Sequence, residues 1–77
     1  MSDIVHVTGS ELVRKLQKLG TERAVPVHFR AERGKGSHGT LYYGARFTVM
    51  KDRRKELSPG LLASMLKQLG LTRDDLR

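Results

Sequence analysis

The sequence contains no cysteine, which excludes disulfide staples, thiolate metal sites and cysteine nucleophiles. That usage fits a reducing cytoplasm. No apolar run approaches the ~18 residues of a membrane span. The opening MSDIVHV also lacks the basic-then-apolar pattern of a signal peptide. The expectation is therefore a cytoplasmic protein with no membrane association. Acidic residues are scarce as well, with 8 Asp and Glu against 15 Lys and Arg. They are scattered, and Asp74 and Asp75 lie at the terminus, so a carboxylate-held magnesium site is poorly served. The 3 histidines, His6, His28 and His38, include no pair at helical metal spacing. Gly34-x-Gly36 lacks the third glycine and the following helix of a dinucleotide loop. No metal and no cofactor are expected. The 77 residues leave room for one domain, and a chain of this size buries only about 60% of its unfolded surface.

Positive charge is what the chain has in excess. Its formal net charge is +7, which favours polyanionic partners. Between Arg30 and Lys55 lie eight basic residues, Arg30, Arg33, Lys35, Arg46, Lys51, Arg53, Arg54 and Lys55, against only Glu32 and Asp52. That stretch reads as strands rather than as an amphipathic helix, so nucleic acid suits it better than a membrane surface. The plainer alternative is a solvated basic surface that keeps a small protein soluble.

The ends of the chain read as helices. Thr8-Gly-Ser-Glu11 has capping-box spacing, and Leu12, Val13, Leu16 and Leu19 recur on one helical face. Gly20 is placed to close this helix, which spans about residues 9–19. Residues 1–7 then form a short N-terminal tail to a single domain. Ser58-Pro59 opens a second helix, in which Leu62, Met65, Leu66 and Leu69 share a face. Gly70 ends it, with Leu71 placed to fold back on Leu66. Thr72 to Asp75 looks like a fresh cap for a terminal helical turn.

The middle has a period of two. Val25, Val27, Phe29 and Ala31 alternate with Pro26, His28, Arg30 and Glu32, and turn signals follow at 33–36 and at Gly44. The order is helix, three antiparallel strands, helix, an α+β arrangement with both helices on one face of the sheet. Strand parity assigns Val27, Phe29, Ala31, Leu41, Tyr43, Phe47 and Val49 to the helix side. It leaves His28, Arg30, Glu32, His38, Thr40, Tyr42, Arg46 and Thr48 on the open side. A bulge at Gly39 would flip His38 relative to Tyr42.

That open face suggests chemistry on RNA. Cleavage without a metal needs a base for the 2′-hydroxyl proton, an acid for the departing 5′-oxygen, and cations for the growing phosphate charge. A histidine can both take and give a proton near neutral pH. Lys35 and Arg46 are candidate cations beside His38, while Tyr42 or His28 could donate a second proton or stack a base. From spacing alone, an idle surface histidine is the competing reading, and His6 and His28 take it by default.

Lys35-Gly-Ser-His38 before an aromatic-containing strand resembles the glycine-serine-histidine signature of HicA toxins. Glu56-Leu-Ser-Pro-Gly60, Leu66-Lys-Gln68 and Gly70-Leu71 resemble that family's C-terminal helix, and Ser10 to Leu16 with Gly20 its opening helix. The resemblance implies a double-stranded-RNA-binding-domain-like α-β-β-β-α fold. It also implies an endoribonuclease that cleaves mRNA, a catalytic histidine at His38, and neutralisation by a HicB-like antitoxin. On that basis the chain is a monomer when free and a hetero-oligomer with its antitoxin. Arg30, Arg33, Lys35, Tyr42, Arg46, Arg53 and Arg54 are the expected RNA contacts. Three features depart from the family pattern: Thr21 to Pro26 looks like an insertion, Thr21 stands where an aromatic often follows the first helix, and Met50 to Lys55 is unusually basic. A noncatalytic double-stranded-RNA-binding module is the alternative, and a small scaffold in a ribonucleoprotein a third reading.

Overall fold

The computed structural model describes residues 7–34 and 38–76. In chain order the elements are β1 (Val7–Thr8), α1 (Gly9–Arg23), β2 (Val27–Ala31), β3 (Gly39–Tyr43), β4 (Arg46–Met50), β5 (Glu56–Leu57), α2 (Pro59–Gln68) and a terminal 3₁₀ turn, Arg73–Leu76. The helix, three-stranded antiparallel sheet and second helix follow the order read from the sequence. A two-stranded ribbon of β1 and β5 is added to it.

The capping box forms as its spacing predicts. Thr8 Oγ1 accepts the Glu11 N–H at 3.2 Å, and Glu11 Oε1 accepts the Thr8 N–H at 3.0 Å. The Thr8 N–H, and then its hydroxyl, hold the Glu11 carboxyl below its ordinary range. Two further donors at the start of α1 reach a distant segment: Gly9 N–H bonds Lys55 O and Ser10 N–H bonds Arg53 O. Val7, placed in a tail by the sequence reading, is instead buried against Leu57 in the ribbon.

α1 does not end at Gly20. It continues to Arg23, and Ala24 takes the left-handed conformation at φ 57°. Gly20 is needed for contact rather than for a turn, since a β-carbon there would lie 2.5 Å from both Val25 O and Val27 Cγ2. Thr21 to Arg23 therefore add most of one more helical turn, and Ala24 to Pro26 form a short link to β2.

The sheet order is β2-β3-β4. Gly39 pairs regularly with Ala31 and Met50, so the chain carries no bulge there. Gly44 has φ +61° at the first of two loop residues, the arrangement of a type II′ hairpin. That turn pairs Tyr43 with Arg46, Leu41 with Thr48 and Gly39 with Met50. Paired residues share a face, so the side chains of β4 lie opposite to the sequence expectation. Thr48 and Met50 are buried under the helices, while Phe47 and Val49 are 56% and 51% exposed on the open side. Apolar character misassigned them, and the two-residue turn decides. The buried Thr48 hydroxyl is satisfied by Gln68 Oε1 of α2.

α1 and α2 close one core over that face, centred on Leu12, Leu16, Leu41, Met50, Leu62 and Leu66. Ser58 Oγ caps α2 by accepting the Leu61 N–H at 3.2 Å. Its far end is a Schellman motif: Leu71 N–H bonds Leu66 O, Gly70 N–H bonds Lys67 O, and Gly70 has φ +75°. Asp75 caps the terminal turn through Thr72 and pairs with Arg23 Nη2 of α1 at 2.6 Å. The Thr72 N–H, and then Arg23, hold its carboxyl below the ordinary 3.8.

Candidate functional site

The open face of the sheet is set out in rows by strand pairing. His28, Tyr42 and Phe47 pair across it, as do Arg30, Thr40 and Val49 one row on. Beyond the second row Glu32 N–H bonds His38 O at 2.7 Å, which brings the two strand ends together. Arg30, Glu32, Arg33, His38, Thr40, Tyr42 and Val49 line one open cleft of about 680 Å³. Several smaller hollows elsewhere hold no histidine. The groove between β4 and α2, for instance, is lined by Phe47, Thr48, Val49, Leu61, Ser64, Met65 and Gln68.

His38 is held by a carboxylate. Its Nδ1 is shielded from solvent and lies 2.5 Å from Glu32 Oε2. The approach is off the N–H axis, so the contact is a close carboxylate–imidazole approach rather than a directed hydrogen bond. The ring keeps 31% exposure and Glu32 keeps 50%, so the pair sits at the rim of the cleft rather than beneath it. A carboxylate on one ring nitrogen fixes the orientation of an imidazole and leaves the other nitrogen for proton transfer. The sequence placed Glu32 on this face without a role. The contact was not readable from spacing, because it depends on how the two strand ends meet.

The remaining expected site residues divide between the two faces. Arg30, Arg33 and Tyr42 join His38 in the cleft. Arg46 does not. It shares the helix side with Tyr43 and packs on the loop after α2, where a β-carbon at Gly70 would lie 3.0 Å from Arg46 Nε. The expectation that Arg46 stands beside His38 is thereby corrected, for the same turn-register reason that exposes Phe47. The Arg53 guanidinium lies 4.6 Å above the ring of Phe29, a side chain packed against the core. Arg54 is exposed and spans back to Asp52 Oδ1 at 3.4 Å. Lys35 lies outside the described residues.

His28 is stacked on Tyr42, with centroids 6.4 Å apart and planes at 26°, and Tyr42 meets Phe47 at 6.0 Å. Among the described residues no three His, Asp or Glu side chains converge so as to hold a metal ion. No helix among them is long and apolar enough to cross a membrane. A histidine with an anchoring carboxylate, two exposed arginines and a hydroxyl can bind a phosphodiester and move a proton at it.

The family model described as the HicA toxin of bacterial toxin-antitoxin systems matches residues 9–71. No curated protein and no solved structure matches the chain.

Proposed function

Because the chain belongs to the HicA toxins of bacterial toxin-antitoxin systems, we propose that it is a metal-independent endoribonuclease that cleaves mRNA through His38. It acts in the cytoplasm and is neutralised by a HicB-like antitoxin that covers the cleft. The observation that carries this reading is the carboxylate-anchored His38 at the rim of a cleft shared with Arg30 and Arg33.

The chemistry follows from those groups. The ribose 2′-oxygen attacks the adjacent phosphorus, the bond to the 5′-oxygen of the next nucleotide breaks, and a 2′,3′-cyclic phosphate remains. His38, with Glu32 on Nδ1, exchanges a proton at one of those two oxygens through its free ring nitrogen. Arg30 and Arg33 stabilise charge on the non-bridging oxygens. Thr40 on the same face offers a hydroxyl to the phosphate or the sugar.

The test uses purified protein, a labelled single-stranded RNA and excess EDTA. Cleavage should survive the chelator, fall by about 10²-fold or more in His38→Ala, and leave cyclic phosphate ends. RNA bound but left intact by both forms would sink the enzymatic reading.

A further inference from the structure

The row His28-Tyr42-Phe47 lies two rows of the sheet away from His38, with Tyr42 reaching the same cleft. It is a continuous set of rings crossing all three strands, and its outermost member, Phe47, is 56% exposed. A large exposed aromatic is costly to leave in water and yields most when another flat group covers it. The cover must also tolerate cations, since exposed Arg30 stands in the next row and Arg33 in the adjoining cleft.

We propose that this row is a stacking platform for the unpaired bases of single-stranded RNA, and that it sets which nucleotides are presented to His38. The proposal rests on the ribonuclease reading above and supplies its substrate class. Splayed bases expose the π-faces that aromatic side chains need, whereas a duplex hides them. The second row supplies Arg30 and Thr40 for the backbone, and Val49 widens the apolar floor. From the Tyr42 row to His38 the strand advances four residues, roughly 13 Å, the reach of about two extended nucleotides. A base held on Tyr42 and Phe47 therefore presents a phosphodiester about two nucleotides away to His38. The aromatic row fits bases better than it fits a partner protein, because cation-flanked stacked rings match polyanionic strands in both charge and shape.

The test places His38→Ala in the background, so that RNA persists, and measures binding of a labelled eight-nucleotide single strand. Phe47→Leu keeps apolar bulk but removes the ring, and should weaken binding about tenfold, the loss expected for one base stack. Phe47→Trp should retain binding, and as the chain's only tryptophan should be quenched by the oligonucleotide. An abasic strand of the same length should leave that emission unchanged. Native-like binding by Phe47→Leu, absence of quenching, or equal affinity for duplex RNA would each overturn the platform. So would quenching by a HicB-like antitoxin but not by the oligonucleotide. Binding and quenching are read without cleavage, so a Phe47→Trp protein that quenches while the chain with native His38 fails to cleave would remove the ribonuclease reading and leave the platform standing. Cleavage unaffected by Phe47→Leu would do the reverse.

Discussion

At the scale of single residues, the pair His38 and Glu32 concentrates what is specific to this chain. Glu32→Gln keeps the shape of the side chain but removes the charge beside Nδ1. With RNA contacts untouched, kcat should fall about tenfold while KM stays within twofold, and Glu32→Asp should restore part of the loss. The expected cost is well short of the ~10⁴ seen at a buried serine-protease aspartate, because Glu32 is half exposed. Equal kcat values for the native chain and Glu32→Gln would show that the contact does not position the ring. His38 was legible in the sequence through the motif around it. Glu32 was not, because its partner is chosen where the ends of β2 and β3 meet, through the bond from Glu32 N–H to the His38 carbonyl. The outward face of Phe47 was not legible for a different reason: its apolar character suggests burial, whereas the two-residue turn sets its face.

At the scale of elements, the joints between helices and strands are where sequence patterns gave way. Caps read correctly at Thr8, Ser58 and Gly70, since each depends on bonds within four or five residues. Gly20 read wrongly because its reason is tertiary. The strand that follows folds back so closely that α1 has no space for a side chain at that point. Gly20→Ala should therefore destabilise the protein by about 1–3 kcal/mol, even though alanine is the better helix former. Urea unfolding followed by circular dichroism measures this. A midpoint at or above the native one would mean that Val25 and Val27 can retreat from α1. The hairpin of β3 and β4 teaches the complementary lesson. Gly44 marked the turn, but only the length of the loop fixes that Leu41 stands opposite Thr48.

At the scale of the whole molecule, the excess positive charge proves to be divided between faces. Arg30 and Arg33 serve the cleft, Arg46 lies on the helix side and Arg53 covers Phe29. A net charge of +7 thus overstates what any bound strand meets at once. RNA affinity should still fall at least tenfold between about 50 and 200 mM salt. Arg30→Glu should flatten that slope, and Arg46→Glu should change it much less. Equal flattening by both would place the strand over both faces and contradict the face assignment. The ribbon of Val7 and Thr8 with Glu56 and Leu57 has a consequence on the scale of time. Contacts within α1 and between successive strands are local, whereas the ribbon joins chain segments separated by the entire sheet. Closing so long a loop costs the most chain entropy and is repaid last. During synthesis β1 waits for a partner until every strand carrying the open face has left the ribosome, so its zipping is a late step in maturation.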